Sequence, residues 1–106
     1  MNDAILSLLG LCRRAGKLTI GNDAVVEDTK NGAAKLVILT RDISANTRKK
    51  LTKELGEVTI LTLNRSKEEL GFALGRRLAA VVAVCDDGFA AKLTTLIESD
   101  TGGNCL

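Results

Sequence analysis

Apolar residues recur along the chain in two rhythms, one helical and one strand-like, and the two alternate. Ile5, Leu8, Leu9 and Cys12 keep helical spacing, Arg13 and Arg14 fill the last turn, and Gly16 stops the run. This predicts a first helix over about residues 3–15. Lys17-Leu18-Thr19-Ile20 alternates polar and apolar up to Gly21 and reads as a short edge strand. A second helix follows, with Asn22 or Asp23 as cap, Val25 and Val26 as apolar face and Gly32 as end. Lys35-Leu36-Val37-Ile38-Leu39-Thr40 is a continuous apolar run, the pattern of a strand covered on both faces. Asp42 or Ser44 can cap a third helix over about residues 44–56, with Leu51 and Leu55 inward and Arg48, Lys49, Lys50 and Lys53 outward or flanking. Residues 58–63 form a third strand. Ser66-Lys67-Glu68-Glu69 matches a capping box opening a fourth helix to about Gly75. Residues 79–85 form a second buried strand, and Asp86-Asp87-Gly88 caps a last helix carrying Phe89, Leu93, Leu96 and Ile97. Thr101 to Asn104 is glycine-rich, so a domain over 1–100 with a flexible tail over 101–106 is expected.

Helices and strands thus alternate with short connections, without linker or repeat. Such alternation predicts an α/β fold, an α/β/α sandwich around four strands, with the most apolar strands, around Val37 and Val82, at the centre. At 106 residues and 45% hydrophobic content, one such domain is the limit.

Composition narrows the chemistry mainly through absences. The chain has no His, Trp, Tyr or Pro and two Phe, Phe72 and Phe89. Without His, Ser-His-Asp and Cys-His pairs and imidazole metal ligands are excluded. Tyrosine or tryptophan platforms for base stacking are excluded as well. The net charge of +2 conceals a gradient: residues 1–53 carry ten basic and five acidic side chains, residues 54–106 five and eight. That asymmetry points to a polyanion-facing surface. Cys12, Cys85 and Cys105 form no metal spacing; Cys12 and Cys85 read as small buried hydrophobes in a reducing compartment. No signal-like start or membrane-length apolar run is present, so a soluble, cytoplasmic protein is expected, with no membrane partner.

Two motifs lose their first attraction on inspection. Gly10 to Leu18 resembles a phosphate loop, but its spacing is one residue too long, no Ser or Thr follows Lys17, and it ends a helix rather than opening one. Asp86-Asp87 could hold magnesium, yet an Asp ahead of a helix is better explained as a cap. No cofactor, metal or small-molecule substrate is therefore expected. Arg76-Arg77-Leu78-Ala79 is less ordinary: two guanidinium groups that can grip phosphates precede aliphatic side chains that can cover an extruded base. Lys17, Lys30 and Lys35 bracket the second helix.

Several motifs in order carry a resemblance over residues 4–97. Leu8-Leu9-Gly10-Leu11 with Arg14-Ala15-Gly16-Lys17-Leu18, Gly21, Ala34 to Leu39, Asp42 with Asn46-Thr47, Glu69-Leu70-Gly71 to Gly75, and Val81 to Val84 with Asp87-Gly88-Phe89-Ala90 resemble the L7Ae/L30e superfamily of ribosomal and RNA-binding proteins, most nearly its bacterial YlxQ-type branch. The resemblance implies a three-layer, L30e-like α/β/α sandwich with a mixed sheet, a cytoplasmic association with the ribosome, and non-enzymatic binding of kink-turn RNA. It places RNA contacts at Gly21-Asn22-Asp23 through Glu27, at Arg41-Asp42-Ile43 and at Arg76-Arg77-Leu78-Ala79. Independently of the resemblance, the basic groups Lys17, Arg41, Arg76 and Arg77 suit another bent or looped RNA, such as rRNA. Kink-turn binders carry approximately G-x-N-E-x-x-K at the second helix. Here Asp23 stands for Asn, Ala24 for the acidic residue and Glu27 for Lys. Ala24 cannot accept from a guanine and Glu27 repels phosphate, which favours an alternative: a protein-interaction adaptor that has lost kink-turn specificity.

Overall fold

The computed structural model describes residues 3–104. Five helices and four strands alternate: α1 (Ala4–Arg14), β1 (Leu18–Ile20), α2 (Asn22–Lys30), β2 (Leu36–Thr40), α3 (Ala45–Leu55), β3 (Ile60–Leu63), α4 (Lys67–Ala73), β4 (Val81–Val84) and α5 (Asp87–Asn104). The sheet order is β1-β4-β2-β3. β2 runs parallel to β3 and antiparallel to β4, and β4 runs antiparallel to β1, so the sheet is mixed. The two central strands are the two continuous apolar runs, as expected of strands covered on both faces; every residue of both is buried.

The pleat divides the core into two layers. Leu36 and Ile38 of β2, with Val82 and Val84 of β4, face Ile5, Leu9 and Cys12 of α1, Leu70 of α4 and Leu93 and Ile97 of α5. Val37, Leu39, Val81 and Ala83 face Val25 of α2 and Leu51 and Leu55 of α3. Alternation along each strand therefore builds both cores at once.

Local chemistry explains the element ends, with three revisions to the sequence reading and one choice between its alternatives. Neither Asn22 nor Asp23 caps α2: the N-cap is Gly21, whose φ of 106° and ψ of 152° suit glycine, and no side chain caps the helix. Of the two candidate caps for α3, Ser44 is the one used, accepting from the Thr47 N–H. β3 is shorter than expected, because Val58 packs as a half-buried residue ahead of the pairing. α5 continues through residues 101–104, where a flexible tail was expected; glycine weakens a helix by about 1 kcal/mol without forbidding it. Cys105 and the rest of that expected tail lie outside the described residues. The Ser66–Glu69 capping box forms in both directions, and Asp86 accepts from the Phe89 N–H, as a cap ahead of α5 should.

Candidate nucleic-acid interface

Strand direction decides which connections meet. β1, β2 and β3 finish, and β4 begins, at the same end of the sheet. The Gly21 N–H donates to the Val81 carbonyl at 3.1 Å, Thr40 N–H to Ala80 at 3.0 Å, and Arg41 N–H to Arg65 at 3.1 Å. The turn at Gly21-Asn22-Asp23, the loop Arg41-Asp42-Ile43, the turn Asn64-Arg65 and the loop Arg76 to Ala79 therefore border one surface.

At Gly21 the lack of a side-chain cap matters. The first N–H groups of a helix have no intrahelical acceptor, and here no side chain supplies one, so α2 presents donors at the positive end of its dipole. Asn22 and Asp23, released from capping, are exposed in the first turn; Ala24 is exposed beside them. Glu27 is exposed a turn further along α2 and sets a negative charge behind this donor group.

Arg41 is half exposed. Its Nη1 donates to the Asn64 carbonyl at 3.1 Å and its Nη2 lies 3.6 Å from Glu69 Oε1. Glu69 itself accepts from the Ser66 N–H, which holds its carboxyl below the usual range, with Arg41 adding to the effect. Asp42 is committed to the fold: its Oδ1 accepts from the Lys67 N–H at 3.0 Å, joining the β2–α3 loop to the start of α4. Ile43 is half-buried against the α2–α3 core, leaving little of it to cover a base.

The Arg76–Ala79 loop is held against α4. Arg76 N–H donates to the Gly71 carbonyl at 2.7 Å and Ala79 N–H to Lys67 at 3.0 Å. A Cβ at Gly71 would lie 2.9 Å from Leu78 N and Cα, so the closeness of this loop depends on a glycine there. The result leaves Arg76 and Arg77 exposed, without ion pairs among the described residues, and Leu78 54% exposed. Ala79, expected as apolar cover, is instead 4% exposed and packs in the core, because the alternation that exposes Leu78 turns its neighbour inward.

Lys17 does not join this surface. It precedes β1 at the opposite end of the sheet, where its carbonyl accepts from the Cys85 N–H at 2.8 Å. A strand of this length separates Lys17 from Gly21 by about 13 Å. Lys35 lies at the same far end, bonded to Val84. Cys85 there departs from its expected role as a core hydrophobe: it is half-buried, and its thiol lies 3.7 Å from both Asp28 Oδ2 and Thr19 Oγ1. Thr19 and Asp28 hydrogen-bond each other. Cys12 is fully buried, which pushes its thiol up to about 11.

The sequence reading overlooked Arg65, which braces the surface from behind. Its Nε donates to Asp3 Oδ2 at 2.6 Å and its Nη1 to Asp100 Oδ2 at 3.2 Å, tying the β3–α4 turn to the start of α1 and to α5. These groups border an open cavity of about 800 Å³ that also touches Glu69 and Asn64. Only long-range pairing reveals this role, since Asp3 and Arg65 lie 62 positions apart.

The family model described as the Ribosomal protein L7Ae/L30e/S12e/Gadd45 family matches residues 3–94. The chain belongs to this family. Among curated L7Ae/L30e relatives, the RNA-binding protein YlxQ of Bacillus subtilis (strain 168) is 42% identical over 92 residues, 86% of this chain and 92% of that protein. The RNA-binding protein YlxQ of Enterococcus faecium is 37% identical over 95 residues, 88% of this chain and 90% of that protein. The large ribosomal subunit protein eL30 of Tetrahymena thermophila is 30% identical over 96 residues, 88% of this chain and 92% of its own. Among solved structures, a protein of unknown function from Bacillus halodurans C superposes with a TM-score of 0.84 at 37% identity, covering 92% of this chain and 99% of that one. Among the described residues, no helix is long and apolar enough to cross a membrane.

Proposed function

We propose that this L7Ae/L30e-family protein binds structured RNA at the surface built by Gly21-Asn22-Asp23, Arg41 and Arg76-Arg77-Leu78, without catalysing a reaction. One observation carries the reading: helix donors without a side-chain cap, exposed guanidinium groups and an exposed aliphatic residue meet at one end of the sheet. Phosphates seek the first two and an unpaired base the third. The names of the YlxQ relatives support it. A sharply bent or kink-turn-like RNA fits best, because a concave bend brings phosphates and splayed bases to a single compact surface. The eL30 relative supports rRNA, and hence ribosome association in the cytoplasm, as the setting.

Fluorescence anisotropy against a kink-turn RNA, an rRNA fragment and a plain duplex tests this reading. At about 150 mM salt a bent RNA should bind at least tenfold more tightly than the duplex, since non-specific phosphate binding is weak there. Arg76→Ala with Arg77→Ala should weaken binding and flatten the salt slope by about two. Equal affinity for all three RNAs overturns the proposal. The exposed Asp23 and Glu27 on α2 favour the adaptor reading in that event, and co-purification that survives ribonuclease would establish it.

A further inference from the structure

We infer that α3 carries a second contact for nucleic-acid backbone, a lane along which an arm of the bound RNA leaves the surface described above. The inference rests on the RNA-binding reading and extends it to residues which that surface does not include. Ala45, Arg48, Lys49, Thr52 and Lys53 line one groove of about 510 Å³. Their spacing of three or four residues puts them on a single stripe, about 12 Å long at 1.5 Å per residue. The stripe starts at Ala45, next to the Ser44 cap and two residues beyond Ile43, so it is continuous with the Arg41 loop.

Arg48, Lys49 and Lys53 are exposed, and none makes an ion pair among the described residues. Arg48 is partly immobilised: its Nη2 donates to Thr62 Oγ1 of the edge strand β3 at 3.0 Å, which fixes one guanidinium beside the groove in advance. Lys50 adds positive charge on the flank, and Glu54 is the one acidic residue of the helix. α2, packed in the same layer, carries Asp23, Glu27 and Asp28 against Lys30, so the positive field on this side belongs to α3.

The groove's chemistry selects the partner. Its remaining lining is Ala45 and Thr52, so it lacks the aromatic or large aliphatic anchor on which protein interfaces depend, and lysine is depleted from the centres of such interfaces. Regularly spaced cations with no apolar anchor match a phosphate backbone, which is bound irrespective of sequence. An arm held here gains affinity without gaining sequence preference.

The test uses two kink-turn RNAs, one with short duplex arms and one with an arm extended by about one helical turn, titrated over about 50–200 mM salt. The Lys49→Gln/Lys53→Gln variant alters exposed side chains outside both cores, and adding Arg48→Gln completes the lane. A matched variant, Arg13→Gln/Arg14→Gln/Lys92→Gln, removes the same charge from α1 and α5. The wild type should prefer the long-armed RNA. The α3 triple variant should lose at least about fivefold in affinity for it and flatten its salt slope by about two, while short-arm binding changes less than twofold. The matched variant should retain the long-arm preference. A long-arm preference that survives the α3 changes, or falls equally in the matched variant, overturns the lane and leaves the primary surface standing. Failure of the wild type to prefer either bent RNA to plain duplex overturns both.

Discussion

At Gly71 a hydrogen stands where any other residue would put a Cβ 2.9 Å from the Leu78 backbone and 3.0 Å from the Arg76 carbonyl. Neither neighbour is a flexible side-chain tip, so relief requires moving the Arg76–Leu78 loop away from α4. Gly71→Ala should cost about 1–3 kcal/mol in denaturant unfolding and weaken RNA binding beyond what lost stability explains. Unchanged stability and affinity would show that the loop relaxes freely. Gly21 works differently. A Cβ there meets nothing within 4 Å, but φ of 106° is a conformation that side-chain-bearing residues rarely adopt. In the sequence Gly21 was visible as a strand boundary and Gly71 as one residue of the Glu69 to Gly75 motif. That one serves close approach and the other backbone conformation depends on neighbours distant along the chain.

Asp3 joins α1 to the β3–α4 turn and gives the fold an acid-sensitive point. It caps α1 by accepting from the Leu6 N–H at 3.1 Å and also binds Arg65, whose hydrogen bond holds the Asp3 carboxyl below its usual range. A carboxylate with a lowered folded-state pKa contributes stability that is complete above its unfolded value, about 3.9, and is lost as pH falls through the folded value. Asp3→Asn keeps an acceptor for the cap and removes the charge. The variant's thermal midpoint should therefore lie below that of the wild type at neutral pH, and the gap should close as pH drops below about 4. Parallel melting curves across that range would show that the pair contributes nothing. At the scale of elements the sequence was highly legible: strong 3.6-residue periodicity, a capping box and two apolar runs located all nine elements. Ends were less legible, because Asn22 and Asp23 have the right chemistry to cap α2, and only the backbone turn at Gly21 displaces them from that role.

Over the whole molecule, the division of charge between the two ends of the sheet matters more than the net +2. Arg41, Arg76 and Arg77 border one end, and Lys17 and Lys35 the other. Lys17→Gln should accordingly change affinity for a bent RNA by less than twofold, whereas Arg76→Gln should weaken it severalfold; equal losses in a titration at fixed salt would argue for diffuse attraction by net charge. Lys17 illustrates why part of the candidate site was not legible. It is four positions from Gly21, and proximity in sequence suggested a shared surface, but an intervening strand carries the two to opposite ends. Ala79 and Leu78 are adjacent yet one is core and the other surface, because the extended backbone held beside α4 turns them to opposite sides. The amino-acid sequence by itself determined the alternation of elements, the burial of β2 and β4 and the exclusion of histidine chemistry, since periodicity, hydrophobicity and composition are local properties of the chain. Tertiary structure decided which loops meet, that Asp42 and Arg65 serve as ties, and that Lys17 lies at the far end of the sheet. Those outcomes depend on strand order and direction, which pairing across the sheet settles and no local window contains.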